Sequence, residues 1–190
     1  MSAEPHVVGL VLAAGAGSRF GAAKQLAELD GVPLLQHAVD AALAAEGLDE
    51  VVVVLGAHAT AVREHVAFGP ARVVEAPDWA EGMAASLRAG LRAAGEADRV
   101  VVTLGDQPRV GAAVIDAALA AAPADRPLRA TYAGAPGHPV VLPRATIPAA
   151  LALSGEHGAR GLLRDAATFE AGALCDPADV DTPEELEALR

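Results

Sequence analysis

A single lysine stands in a chain that carries thirteen arginines. Lys24 closes the segment Leu12-Ala13-Ala14-Gly15-Ala16-Gly17-Ser18-Arg19-Phe20-Gly21-Ala22-Ala23-Lys24, which directly follows the apolar run Val7 to Val11. Small residues let backbone N–H groups close on an anion, and Arg19 and Lys24 bring the charge that neutralises it. A strand running into such a loop has the form of a phosphate cradle. An ammonium is a compact point charge and a guanidinium a rigid fork, so a lone Lys in an arginine-rich chain points to a specific task. The plain alternative is a solvated loop whose glycines only turn the chain.

Two familiar phosphate loops fail on spacing. A Walker loop requires G-x-x-x-x-G-K-[ST], but Ala23 precedes Lys24 and Gln25 follows it. A dinucleotide loop requires G-x-G-x-x-G; Gly15 and Gly17 fit, whereas Phe20 holds the third place and the glycine comes one later, at Gly21. The acid expected after the second strand is missing as well, because Leu55 runs into Gly56-Ala57-His58. Asp106 is the second residue of interest. It follows a buried strand, at the carboxyl edge where open α/β sheets bind ligands. A carboxylate there suits Mg²⁺, which takes one or two carboxylates plus substrate phosphates.

The elements that must position these groups alternate in period. Val7 to Leu12, Val51 to Leu55 and Val100 to Leu104 are continuous apolar strands, with a shorter one at Ala71 to Glu75. Between them lie helical patterns from about Pro33 to Glu46 (Leu35, Val39, Leu43), from Ala59 to Val66, and from about Gly82 to Ala94 (Met83, Leu87, Leu91). Val114, Ile115, Ala118 and Leu119 mark the next helix. Such alternation predicts an α/β fold with a mostly parallel central sheet and helices on both faces. The second half is less regular. Leu128 to Tyr132 and Pro139 to Leu142 read as strands around a turn at Gly134-Ala135-Pro136-Gly137, and Phe169 to Leu174 as a last strand. Thr182-Pro183-Glu184-Glu185 is a helix start, with Thr as N-cap, Pro first and Glu three after the cap.

At 190 residues and 53% hydrophobic content the chain is expected to form one domain around a single core. The regular alternation spans about 7–108 and the less regular part about 109–190. No run of about 18 apolar residues suggests a membrane span. The start, Met1-Ser2-Ala3-Glu4-Pro5-His6, reads as no signal peptide. Cys175 is the one cysteine, so a reducing cytoplasm is expected, and it reads as a small strand hydrophobe. A net charge of −11 argues against a nucleic-acid surface but not against a small phosphate ligand. An acidic protein that binds a nucleotide must gather positive charge locally or bring in a metal. His6, His37, His58, His65 and His157 show no paired metal spacing and read as surface or core residues. Met83 reads as core, and Asp78, Trp79 and Glu81 as the lead into a helix.

A third loop pattern, L-A-A-G-x-G-x-R-x-G-x-x-K, is matched in full from Leu12 to Lys24. Further matched segments are Gly105-Asp106-Gln107-Pro108, Gly137-His138-Pro139-Val140, Gly158-Ala159-Arg160-Gly161 and Asp179-Val180-Asp181-Thr182-Pro183-Glu184. On these residues, from about Val7 to Leu189, the chain resembles the nucleotidyltransferases of the sugar-nucleotide and molybdenum-cofactor type. Within that family it looks most like the cytidylyltransferases. The fold that the resemblance implies is a single-domain, Rossmann-like nucleotide-diphospho-sugar transferase fold, with a nucleotide-binding half at about 7–108 and an acceptor-binding half at about 109–190. It implies Mg²⁺ on Asp106 and Asp181, with Asp179 a weaker candidate, and Arg19, Lys24 and Asp106 as catalytic residues. It implies a nucleotide held by Leu12, Ala13, Ala14, Gly15, Gly17, Arg19, Lys24, Gly82, Ser86 and Gln107, and an acceptor held by His138 and Arg160. Gln107 stands where guanylyl relatives typically carry Met, which favours CTP over GTP. The expected reaction is in-line transfer of CMP to a molybdopterin-type acceptor, by a cytoplasmic monomer that binds no nucleic acid and no membrane, with a molybdoenzyme as recipient.

Departures from the family pattern are few. Phe20 replaces a common Met, Ala84 and Ala85 precede Ser86 where relatives carry more serines, and the chain has no Asn to serve as a metal ligand. Three alternatives stay open. One is the same chemistry with GTP, or with a sugar or polyol phosphate as acceptor. Another is a non-catalytic nucleotide-binding accessory protein for molybdoenzyme maturation. A dinucleotide oxidoreductase comes third.

Overall fold

A computed structural model describes residues 4–153 and 161–190 of the chain. A seven-stranded sheet organises it, in the order β5-β4-β1-β6-β8-β7-β9. The strands are β1 (Val7–Ala13), β4 (Glu50–Leu55), β5 (Arg72–Glu75), β6 (Arg99–Leu104), β7 (Leu128–Tyr132), β8 (Ala135–Pro143) and β9 (Ala167–Glu170). β2 (Glu28–Leu29) and β3 (Val32–Pro33) form a separate small hairpin. β1 is central, and all seven of its residues are buried. It pairs in parallel with β4 on one side and β6 on the other, in registers that set Ala13 against Leu55 and Leu12 against Leu104. Only β8 runs against its neighbours β6 and β7.

The continuous apolar runs are explained by burial on both faces. Val7, Val11, Val53 and Val101 pack with Leu35 and Val39 of α1 (Leu34–Ala44), Val62 of α2 (Ala59–His65) and Ile115 of α4 (Ala112–Ala121). The alternate residues Val8, Leu10, Val52, Val54 and Val102 pack with Leu87 and Leu91 of α3 (Met83–Ala94) and with Ile147 and Ala150 of α5 (Ile147–Leu151). Burying one Leu or Val of this kind stabilises the fold by about 1.5–3 kcal/mol, so the two layers together outweigh any local propensity.

The first half follows the sequence expectation closely, and the second half corrects it. The turn between β7 and β8 lies at Ala133-Gly134, both at positive φ, and Ala135 to Gly137 already belong to β8. The Glu170 carboxylate accepts from the N–H groups of Ala133 and Gly134 at 2.8 and 3.2 Å, which stabilises that geometry. The last strand is Ala167–Glu170 rather than Phe169 to Leu174, because its pairing with β7 runs from Ala167 to Glu170. Cys175 therefore lies beyond the strand, partly buried, with its thiol 4.0 Å from the Tyr132 hydroxyl. α5 forms although it contains Pro148, since a proline in the first helical turn lacks only an N–H that has no intrahelical partner there. The expected start of α6 (Pro183–Ala188) is confirmed as a capping box: Glu185 N–H donates to Thr182 Oγ1 at 3.2 Å, and Thr182 N–H to Glu185 Oε2 at 2.9 Å.

β1, β4 and β6 end on one edge of the sheet. β8 runs the opposite way, so its first half reaches that same edge: Val140 pairs with Val102, leaving His138 beside the end of β6. The edge is closely packed. A Cβ on Gly56, just after β4, would run into the Ala14 carbonyl oxygen and lie 2.8 Å from Ala14 Cβ. Gly56→Ala is expected to cost about 1–3 kcal/mol through overpacking against this backbone. The check is a urea midpoint that falls while the m-value is unchanged.

Candidate active site

The glycine segment leaves β1 and turns through Gly17, whose φ of +63° and close neighbours, Ala22 O at 2.8 Å and Lys24 Cβ at 3.1 Å from an added Cβ, exclude a side chain. The chain then enters a 3-10 turn over Lys24–Leu26. Two residues not foreseen from sequence hold the loop. Gln25 is 5% exposed, and its amide donates to Ala13 O at 2.9 Å and Gly15 O at 2.7 Å. The His58 ring, at the start of α2, is 3.0 Å from Ala16 O. A polar residue after the lysine of a glycine loop was the available signal for Gln25. His58 carried none.

The turn delivers Lys24 into a cluster of acids. Its ammonium lies 2.7 Å from Asp106 Oδ2 and 2.9 Å from Asp181 Oδ1, with only 13% of the side chain exposed. Arg19, largely exposed, reaches Asp181 Oδ2 at 2.9 Å. Burial alone would lower the Lys24 pKa, but the Asp106 and Asp181 carboxylates overcome it and raise it above the ordinary 10.5. The Lys24 hydrogen bond holds Asp181 below the usual carboxylate range, against an opposing effect of burial. Asp179 is shifted the other way. Desolvation of its carboxyl raises its pKa, the Gln107 hydrogen bond opposes this, and the Asp106 and Asp181 charges add to the rise.

The C-terminal segment is fastened to the Asp106 turn. Val180 N–H donates to Asp106 O at 3.1 Å, and the Val180 side chain is fully buried among Leu29, Leu34 and Leu186. Gln107 is 3% exposed, and its amide donates to Asp179 Oδ1 at 2.7 Å. Gln107 thus faces the C-terminal segment and does not line the clefts around the loop. Ser86 is buried in α3. Gly82 lines the larger cleft, about 450 Å³, together with Leu12, Ala14, Gly15, Trp79, Met83, Leu104 and Asp106. A smaller one beside it is lined by Leu12, Ala13, Gly15, Gly17, Lys24, Gln25 and Asp106. Met83 is 48% exposed, so the expectation that it belongs to the core is corrected: it starts α3 at the lip of the cleft. Trp79 also faces this space, which its sequence position did not announce. Arg160 lies outside the described residues.

The acid pair fits a divalent cation. Asp106 Oδ1 is buried and has no hydrogen-bond partner among the described residues, so one carboxylate oxygen remains free to ligate. Three carboxylates stand against two cations in the cluster, an excess of negative charge that a metal would balance. No group of three or more His, Cys, Asp or Glu suited to a metal occurs among the described residues. A pair of carboxylates completed by substrate phosphates is the Mg²⁺ pattern.

The MobA-like NTP transferase domain family matches the chain over residues 9–171. The chain belongs to that family. Its matched span runs from β1 to the end of β9 and takes in the glycine segment and Asp106, while Asp181 lies beyond it. The chain is similar to the nicotine blue oxidoreductase of Paenarthrobacter nicotinovorans, 35% identical across 97% of this chain and 94% of that protein. Among solved structures it is similar to Rv0371c from Mycobacterium tuberculosis H37Rv, with a TM-score of 0.89 and 33% identity over 100% of this chain and 98% of that one. A complex of Rv0371C with manganese superposes with a TM-score of 0.83 and 31% identity, over 97% of both chains. No helix among the described residues is long and apolar enough to cross a membrane.

His138 gives this edge a pH signature. Burial of the ring pushes its pKa from the ordinary 6.5 down to about 4, and the Arg129 charge adds to the effect. Between those values the unfolded chain takes up a proton that the folded protein refuses. The resulting stability is therefore complete above pH 6.5 and declines as pH falls toward 4, by at most about 3 kcal/mol. His138→Gln is expected to remove this part of the decline, seen by comparing denaturation midpoints of the two proteins at pH 7 and pH 4.5.

Proposed function

We propose that this nucleotidyltransferase-family protein uses Mg²⁺ to transfer CMP from CTP to a molybdenum–molybdopterin cofactor, with release of pyrophosphate. The convergence of Lys24, Arg19, Asp106 and Asp181 at the mouth of the glycine loop carries this reading. The manganese in the Rv0371C complex supports divalent-metal dependence in a relative. The chemistry asks for no strong general base. A terminal phosphate on the acceptor is largely dianionic at neutral pH, with a second pKa of about 6. It attacks the α-phosphate of the nucleotide, and the bond to the β-phosphate oxygen breaks. Lys24 and Arg19, with the loop amides, hold the triphosphate and take up the charge of the leaving pyrophosphate. Mg²⁺ held by Asp106 and Asp181 would supply Lewis-acid charge to the phosphate oxygens. Gln107 acts on base choice indirectly in this reading, through Asp179 and the segment that brings Asp181. The half up to residue 108 binds the nucleotide and the remainder the acceptor, with a recipient molybdoenzyme downstream.

The name of the 35% identical relative supports a second reading, oxidoreduction. Against it stand the displaced glycine and the absence of an acid after β4, where Gly56 packs directly on Ala14.

One experiment separates the readings. Thermal shift and Trp79 fluorescence are measured with CTP, GTP, ATP, UTP and NADH, each with and without Mg²⁺. A ligand at a hundred times its Kd adds about 2.7 kcal/mol of stability. The expected result is a shift specific to Mg²⁺ with CTP, lost in Asp106→Asn. Lys24→Met and Asp106→Asn are expected to lower pyrophosphate release by on the order of a hundredfold, since each removes a group worth about 3–4 kcal/mol in such sites. A shift with GTP alone would keep the chemistry and overturn the base assignment. Binding of NADH without any triphosphate would favour the second reading.

A further inference from the structure

Three buried side-chain oxygens have no hydrogen-bond partner among the described residues: Gln25 Oε1, Asp106 Oδ1 and Gln107 Oε1. Two of them belong to residues that line one recess. Gln25, from the 3-10 turn, and Asp106, from the turn after β6, share a space of about 80 Å³ with Leu12, Gly15, Lys24 and Gly105. Gln107 does not line it. Gln25 is 5% exposed, and the orientation of its carboxamide is fixed. The nitrogen donates to both Ala13 O and Gly15 O, so both hydrogens are used on loop carbonyls and the oxygen is left for the other side. Exchanging the two atoms would set an oxygen against two carbonyl oxygens. The Asp106 carboxylate is divided in a similar way: Oδ2 takes the Lys24 ammonium at 2.7 Å, and Oδ1 is the oxygen without a partner.

We propose that Gln25 Oε1 is a ligand of the divalent cation held by Asp106, so that the cation sits in this recess between the two oxygens. The inference rests on the nucleotidyl-transfer reading for what the cation does, and on the two unpartnered oxygens for where it is held. A subsite for an anion presents N–H groups. Here the amide has turned both of its N–H bonds away, and two acceptors share the recess, so the occupant must be electropositive. Water can meet the amide oxygen but cannot balance the charge. Lys24 divides its one charge between Asp106 and Asp181, and the carboxylate of Asp106 keeps an excess that only a cation neutralises. Mg²⁺ takes oxygen ligands and keeps several waters, and the recess has room for the ion with some of them. Loop clamp and ligand are then one residue: the Gln25 nitrogen fixes the carbonyls of Ala13 and Gly15, and the oxygen of the same amide faces the ion. Asp181 does not line this recess. It lies with Ser18, Arg19 and Lys24 on another. Before a nucleotide binds, the ligands that the protein supplies are therefore one carboxylate and one amide, and Asp181 stays with Lys24 and Arg19.

The composition makes a direct test practical. The chain has three glutamines, Gln25, Gln36 and Gln107, and no asparagine, so its nitrogen-15 NMR spectrum holds only three side-chain amide pairs. The full chain is titrated with Mn²⁺ in the absence of nucleotide. The Gln25 pair is expected to broaden first, before the Gln107 pair and at concentrations that leave Gln36, bonded to Asp40 and Ala67 on the surface, unchanged. Excess Mg²⁺ is expected to restore the signals, and Asp106→Asn to abolish the broadening at the same Mn²⁺ concentration. Free Mn²⁺ measured by electron paramagnetic resonance then gives affinities for two variants. Gln25→Leu is expected to bind Mn²⁺ at least tenfold more weakly. Gln25→Glu loses the same loop hydrogen bonds but keeps an oxygen and adds charge, and is expected to bind at least as tightly as the unaltered protein. A Gln25 pair that stays sharp while Mn²⁺ binds, no Mn²⁺ binding without nucleotide, or an equal loss of affinity in both variants would overturn the proposal. Broadening in the unaltered protein decides the matter if either variant does not fold. A Mg²⁺–CTP thermal shift with a sharp Gln25 pair sinks this inference and leaves the nucleotidyl reading intact; broadening of Gln25 with no triphosphate shift does the reverse.

Discussion

A single ammonium group joins three parts of the chain that are far apart in sequence. Lys24 comes from the loop after β1, Asp106 from the turn after β6, and Asp181 from the segment before α6. Two charged contacts under 3 Å on a side chain that is nearly enclosed are worth more than exposed pairs, since water competes little there. The contact still has to be built by everything behind it. The loop must curl through Gly17, Gln25 must hold the carbonyls of Ala13 and Gly15, and Val180 must seat its side chain among Leu29, Leu34 and Leu186.

The acidic balance of the chain makes sense at this point. A protein with a net charge of −11 repels a triphosphate at long range unless positive charge is concentrated. Here Lys24 and Arg19 are concentrated but already engaged by carboxylates. Of the carboxylates they engage, the Asp106 side chain keeps Oδ1 without a hydrogen-bond partner among the described residues. The loop amides add donors that carry no net charge.

The neighbouring geometry sorts roles by strand direction. Parallel strands β1, β4 and β6 carry their ends to the phosphate side of the edge, and the reversed β8 brings a polar residue and apolar walls to the other side. One sheet thus offers a charged cradle and, next to it, a small apolar recess lined by Leu12, Met83, Leu87 and Val140.

Local chemistry was legible before any fold was known. The apolar runs, the helical spacing of Leu35 with Val39, the glycine loop ending in Lys24, and the capping box at Thr182 are set by neighbours within a few residues, so the sequence by itself determined them. It also determined that Asp106 follows a buried strand. Tertiary structure decided the rest. That Lys24 meets Asp181 depends on residues 157 positions apart, and no local pattern encodes such a pairing. That Gln107 turns to Asp179, and that Met83 lies at the lip of a cleft and not in the core, follows from how the C-terminal segment and α3 dock on the sheet. The extents of β8 and β9 were misread for the same reason: strand ends are set by the partner's hydrogen bonds, and those partners are distant in sequence. Periodicity reports which face of an element is apolar; only packing reports what that face, and the polar residues beside it, will touch.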